Sequence, residues 1–132
     1  MKKILLLLHV FVFSLWAEPE WTSSLEEAKT LAHKENKHLI LMLSREECDA
    51  CWYMKNIVFE NDNVKVLIEE HFIGVNLDVD LEDIPARFSY LGTPTFYFMD
   101  ANGTELGHQL NGAANVKDFT QKVNQILKKD KE

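Results

Sequence analysis

The run His38-Leu39-Ile40-Leu41-Met42-Leu43-Ser44, followed after Arg45-Glu46-Glu47 by Cys48-Asp49-Ala50-Cys51, decides the fold. A short, continuously apolar stretch is the pattern of a central strand covered on both faces. Beyond it, Cys51, Met54, Ile57 and Val58 keep a helical period until Asn61-Asp62-Asn63 interrupts it. Cys48 therefore stands at or just before a helix N-terminus, and this strand-to-helix junction carries the only two cysteines of the chain.

Working downstream, Val64, Leu67 and Ile68 continue as a second short helix that Asn63 can cap, with His71 near the negative pole of its dipole. Residues 72–78 alternate, with Ile73, Val75 and Leu77 on one face, so a second strand follows. A helical crossover between two strands implies a parallel pair. Residues 82–91 read as a short helix broken by Pro85, leading into Gly92-Thr93-Pro94 and a third, aromatic strand over 95–99. Asn102-Gly103 then predicts a tight hairpin, with positive φ at both central positions, into a strand over 104–110. Asn115 opens a last helix whose Val116, Phe119, Val123, Ile126 and Leu127 form one apolar stripe. Upstream of the cysteines, residues 21–37 read as an amphipathic helix with Leu25, Ala28, Leu31 and Ala32 inward, and Ser23 and Glu26 placed as a capping box.

At 132 residues, 46% of them apolar and 11% aromatic, the chain suits one domain with a substantial core. Residues 1–17 stand apart. Lys2 and Lys3 precede an apolar run from Ile4 to Trp16, and Ala17 is followed by Glu18-Pro19, the tripartite form of a secretory signal. Thirteen residues rising about 1.5 Å each fall short of a hydrocarbon core roughly 30 Å thick. The expectation is a signal peptide over 1–17, cleaved after Ala17, and one domain over 18–132, exported to a periplasm. An uncleaved membrane tether is the alternative, because Leu15 and His9 depart from the preferred pattern. Loss of Lys2 and Lys3 moves the formal charge from −7 by two more, to −9. Such a surface repels phosphate backbones and excludes nucleic acid as a partner.

A disulfide that spans two intervening residues constrains the unfolded chain little, so a structural staple explains the pair poorly. Thiol chemistry explains it better. The thiolate is the nucleophile, and backbone N–H groups at a helix N-terminus stabilise negative charge, so Cys48 is the attacking residue. Cys51, one turn on, resolves a mixed disulfide formed at Cys48. A zinc site would need two further ligands, and His33, His38, His71 and His108 are scattered over different elements. Copper transfer through the thiols and Met54 is a separate reading. Asp78, Asp80, Glu82 and Asp83 lack the glycine and terminal glutamate of an EF-hand loop and read as a solvated acidic turn. Phe96, Tyr97 and Phe98 read as sheet packing. No nicotinamide, flavin or other cofactor motif occurs.

The order of elements, the C-x-x-C after the first core strand and Thr93-Pro94 leading the hairpin strand together resemble the thioredoxin superfamily over about residues 21–127. The longer pattern Cys48-x-x-Cys51-x-x-Met54-x-x-x-Val58-Phe59, then Asn63-Val64 and Val75-x-Leu77-Asp78, resembles the branch of the DsbD C-terminal domain and small exported thioredoxin-like proteins. The resemblance implies an α/β, three-layer α/β/α fold around a central mixed sheet of four to five strands. It implies a cis Pro94 facing the cysteines, with Thr93 and a free backbone edge for an extended substrate segment. Two departures stand out. Thioredoxins carry a buried aspartate six residues before the first cysteine, where this chain has Met42, and the tryptophan usually before that cysteine is replaced by Glu47, with Trp52 after the second. Trp52 is taken as part of the substrate surface.

Glu46, Glu47 and Asp49 oppose ionisation of Cys48, with Arg45 and Lys55 nearby to offset them. A less stabilised thiolate makes the pair more reducing. The expected activity is therefore a protein disulfide reductase, a monomer re-reduced by a membrane dithiol carrier or another thioredoxin-like protein. The alternatives are an oxidase or isomerase, or a non-catalytic peptide or copper chaperone using the same thiols.

Overall fold

In the computed structural model, residues 21–132 are described; the signal peptide expected over 1–17 lies outside them. The strand expected from the apolar run is β1 (His38–Ser44), whose last six residues are buried. It is buried on both sides because it is the inner strand between β2 (Phe72–Asp78), parallel to it, and β3 (Thr95–Met99), antiparallel to it. With β4 (Leu110–Asn111) on β3, the sheet order is β2-β1-β3-β4.

Helices cover both faces. Ile40, Met42, Phe96 and Phe98 project toward α2 (Asp49–Tyr53), α3 (Asp62–His71) and α4 (Val116–Asp130). Leu39, Leu41, Leu43 and Tyr97 project the other way, toward α1 (Leu25–Glu35) and Phe88 of the loop between β2 and β3. This is the three-layer arrangement expected from the resemblance. The consecutive aromatics of β3 are all buried, Phe96 and Phe98 in one layer and Tyr97 in the other, which is the packing role read for them. Ala28 and Ala32 have no exposed surface, so α1 meets the sheet through small side chains.

Several boundaries differ from the sequence reading. The first helix begins at Leu25, capped by Ser24, whose Oγ accepts from Glu27 N at 3.2 Å. Residues 21 and 22 are extended instead: Thr22 N donates to Gly74 O at 3.0 Å and Asn76 N to Thr22 O at 2.9 Å, so the chain joins the edge of β2 before the helix starts. Asn61, not Asn63, caps α3, its Oδ1 accepting from Asn63 N and Val64 N. The helix expected over 82–91 does not form. Pro85 has no N–H to give, and the loop is held by a turn from Phe88 N to Pro85 O at 2.9 Å and by the buried Phe88 ring, 4.9 Å from that of Tyr97.

The Asn102-Gly103 turn is present, but only Gly103 takes positive φ, at 85°. Asp100 supplies the rest, its Oδ1 accepting from Asn102 N and Thr104 N at 2.9 Å each. The strand expected over 104–110 is reduced to a bridge at Glu105 and the two residues of β4, because Gly107 turns the chain at φ 75° between them.

Candidate redox site

The end of β1 delivers the chain into a short turn, and Cys48 becomes the N-cap of α2 with extended backbone, φ −144° and ψ 102°. Its Sγ accepts from Cys51 N at 3.1 Å, so a sulfur sits where a Ser or Asp side chain would otherwise cap the helix. The two sulfurs are joined as a disulfide across a Cα–Cα separation of 5.2 Å. Cys48 is half-buried, whereas Cys51 retains 2% of its surface. Of the two cysteines, Cys48 is the more accessible.

The helix does not continue regularly. After Tyr53 it widens into a π-helical segment, Met54–Val58, closed by Phe59 N donating to Met54 O at 2.9 Å. Such widened turns are frequent at functional sites. Met54 and Val58 remain fully buried, and Met54 Sδ takes the N–H of Ala114 at 3.3 Å, tying this helix to the approach of α4.

From the opposite side comes the loop before β3. The Thr93–Pro94 peptide is cis. Thr93 Oγ1 donates to Cys48 Sγ at 3.4 Å, and Thr93 O lies 3.5 Å from the same sulfur. The structure thus brings Cys48, Cys51 and Thr93 together. Pro94 is beside them but buried, and its carbonyl accepts from Gly112 N at 2.8 Å, so that part of the expected open edge is occupied within the chain. Trp52 is 60% exposed on the outer side of α2, and Leu91, just before Gly92-Thr93, is fully exposed.

Around the sulfurs, Glu46, Glu47 and Asp49 are all exposed. Arg45 does not offset them directly: its Nε lies 3.4 Å from Asp80 Oδ2, an ion pair without hydrogen-bond alignment. Lys55, an exposed side chain, is anchored at the end of β1. Its Nζ donates to Ser44 Oγ at 3.4 Å, and that hydroxyl donates to Asn76 Oδ1 at 2.7 Å. Ser44, at 1% exposure, and Asn76 are polar residues that sequence reading passed over; the signal was a serine ending a buried strand beside an asparagine on its parallel neighbour. Met42 is fully buried in the same cluster as Cys51 and pairs in register with Asn76. A cavity of about 320 Å³ beside it is lined by Trp21, Met42, Lys55, Phe59, Ile68 and Asn76, among others.

The acidic turn resolves as loop capping, with Asp78 Oδ1 accepting from Asp80 N at 2.9 Å and Glu82 Oε2 accepting from Asp78 N at 2.6 Å. Among the described residues no three His, Cys, Asp or Glu side chains are grouped to hold a metal ion.

A thiol pair at a helix start, reached by a half-exposed sulfur and faced by a threonine before a cis-proline, defines the general class of thiol–disulfide oxidoreductases with a thioredoxin-like fold. The chain belongs to the thioredoxin-like domain family, which matches residues 25–127. Among solved structures it is similar to a thioredoxin from Thermus thermophilus, with 25% identity and a TM-score of 0.71 over 84% of this chain and 88% of that one. It shares the fold of the oxidoreductase DsbH, at 22% identity and a TM-score of 0.66 over 85% and 86% of the two chains. The same holds for the oxidised C-terminal domain of DsbD from Neisseria meningitidis, at 16% identity and 0.63 over 80% and 98%. In sequence it is 35% identical over 57 residues to anterior gradient protein 3 of Xenopus tropicalis, a match covering 43% of this chain and 35% of that protein. The match thus spans about a third of that relative's length.

Proposed function

We propose that this chain is an exported protein disulfide reductase, working as a monomer in a periplasm after loss of residues 1–17. The observation that carries the exchange chemistry is the pairing of a half-exposed Cys48 Sγ, contacted by Cys51 N and Thr93 Oγ1, with a buried Cys51.

In the reduced protein the Cys51 N–H and the Thr93 hydroxyl both donate to a Cys48 thiolate. That thiolate attacks one sulfur of a substrate disulfide; a Cys48–substrate bond forms, and the other substrate sulfur leaves as a thiolate and takes a proton. Cys51, deprotonated, then attacks Cys48 Sγ and expels the second substrate thiolate. The substrate gains two electrons and the chain is left with its Cys48–Cys51 disulfide. A dithiol carrier, in the membrane or on another thioredoxin-like protein, reverses these steps to restore the thiols.

The reducing direction is supported by charge. Glu46, Glu47 and Asp49 flank Cys48 in sequence with exposed side chains while Arg45 is drawn to Asp80, so the donors that contact its sulfur are neutral ones. An extended substrate segment passes between Trp52 on α2 and Leu91-Gly92-Thr93, the exposed surfaces flanking the sulfur.

The test is to express a Cys51→Ser variant with its native leader and isolate proteins held on Cys48 by reducible bonds. Trapped substrates are expected, together with insulin reduction by the parent protein. Failure of Cys51→Ser to hold any partner overturns the exchange mechanism in favour of a non-catalytic chaperone. A potential as high as about −120 mV against glutathione overturns the reducing direction in favour of an oxidase.

A further inference from the structure

Resolution of the mixed disulfide requires Cys51 to ionise, and Cys51 is buried, where a thiolate is disfavoured. Met42 packs in the same cluster and has no group that could take or stabilise a charge. Lys55 lines the same cavity as Met42. It follows Cys51 by four residues, across the junction of α2 and the widened turn; in a regular α-helix that spacing puts two Cβ atoms about 5–6 Å apart. Long helical side chains lean toward the helix N-terminus, hence back toward Cys51.

Its ammonium is held at the end of β1. Nζ donates to Ser44 Oγ, and the buried hydroxyl passes its own hydrogen to Asn76 Oδ1, so donor and acceptor roles along Lys55, Ser44 and Asn76 are fixed in one direction. The chain of contacts reaches Asn76, the register partner of Met42, beside a cavity that Met42, Lys55 and Asn76 all line. The widened turn beginning at Met54 carries Lys55.

Resting on the exchange mechanism above, we propose that Lys55 is a positioning residue for the resolving step, its ammonium, anchored by Ser44 and Asn76, favouring the Cys51 thiolate that attacks Cys48. The Cys51 proton leaves to solvent, the Cys51–Cys48 bond forms, and the substrate sulfur departs with the electron pair of the bond it loses. Other charges act on the same region. Glu60, Lys65 and Glu69 line the cavity, Lys65 pairing with Glu60 at 2.8 Å; Asp78 lies opposite Ser44 in register; Asp49 stands on α2 itself, with Glu46 and Glu47 before it. The carboxylates oppose thiolate formation, Lys65 is paired with Glu60, and Lys55 is held on a neutral hydroxyl, which leaves its charge to supply the favourable field.

The experiment titrates Cys51 by thiolate absorbance in a Cys48→Ala background, and measures substrate release by the two-cysteine protein in single turnovers. Lys55→Met is expected to raise the Cys51 midpoint by about one pH unit and slow release about tenfold near neutral pH. Lys55→Arg, which keeps the charge, should restore most of both. Ser44→Ala, which frees the ammonium without removing it, should move the midpoint the same way by less; it serves where Lys55→Met folds poorly. An unchanged midpoint in Lys55→Met, or Lys55→Arg behaving like Lys55→Met, overturns the assignment while leaving exchange intact. If Cys51→Ser holds no mixed disulfide at all, exchange itself fails and the assignment falls with it.

Discussion

Gly74 is an unusually exacting position, and substituting it tests how the start of the described chain is docked. A Cβ there would lie 2.5, 2.8 and 2.9 Å from Trp21 Cδ2, Cε2 and Cγ. The indole cannot simply lift away. Its other face stacks on Phe59, centroids 4.9 Å apart and planes 23° from parallel, while the next residue is fastened by Thr22 N to Gly74 O and Asn76 N to Thr22 O. Gly74→Ala must therefore expel the ring. An indole giving up half of the roughly 200 Å² that a buried aromatic covers loses about 2.5 kcal/mol at ~25 cal/mol per Å², with about 1 kcal/mol more for the stacked pair. Partial reburial reduces this, so the expected destabilisation is about 2–3 kcal/mol. In urea, with a slope of roughly 1–3 kcal/mol per M, the midpoint falls by about 1–2 M. The Trp21→Ala background supplies the decisive comparison, because with the ring gone Gly74→Ala should be neutral or even stabilising, alanine being favoured over glycine in a strand by about 0.5–1 kcal/mol. Equal losses in both backgrounds would refute the steric account.

Two further outcomes are expected. Thr93→Val removes the hydroxyl that contacts Cys48 Sγ while keeping shape; the Cys48 midpoint, titrated in a Cys51→Ser background, should rise by about one unit, and an unchanged value would deny Thr93 a role in stabilising the thiolate. Phe119, with no exposed surface and ring centroids 5.4, 5.9 and 6.5 Å from Phe59, Phe96 and Phe98, is the hub of the helix-side layer; Phe119→Ala should lose about 3–5 kcal/mol in denaturant unfolding, and a loss below about 1 kcal/mol would place the hub elsewhere.

What could be read from sequence was what local pattern controls. β1, β2 and β3 were legible because their apolar runs are too short for helices and continuous or alternating, and α4 because Asn115 precedes a clear stripe and does cap it, Oδ1 accepting from Asp118 N at 2.8 Å. Cys48 as an N-cap followed from the helical period beyond it. The misses share a different cause. Trp21 and Thr22 fit a helical pattern, but two backbone bonds to β2 outweigh one extra turn of helix. Residues 82–91 have helical composition with a single buried anchor, Phe88, instead of a stripe. Lys55, Ser44 and Asn76 were individually visible but lie 11 and 32 residues apart in pairs, so only the parallel register of β1 and β2, with the helical turn folded back over β1, makes them neighbours.

That register also bears on why the two sulfurs differ. Cys48 is half-buried, with carboxylates beside it in sequence, and the donors to its sulfur are a backbone N–H and a hydroxyl, neutral groups whose strength does not depend on pH or strongly on salt. Cys51 lies inside, where burial disfavours its thiolate, and the group assigned to it is a full charge fixed by two polar residues of the sheet. On the proposed mechanism the first attack and the resolution therefore respond differently to ionic strength. Salt should leave trapping by Cys48 nearly unchanged for a neutral substrate and slow the release that depends on Lys55, because an ammonium beside an open cavity is the more readily screened of the two devices.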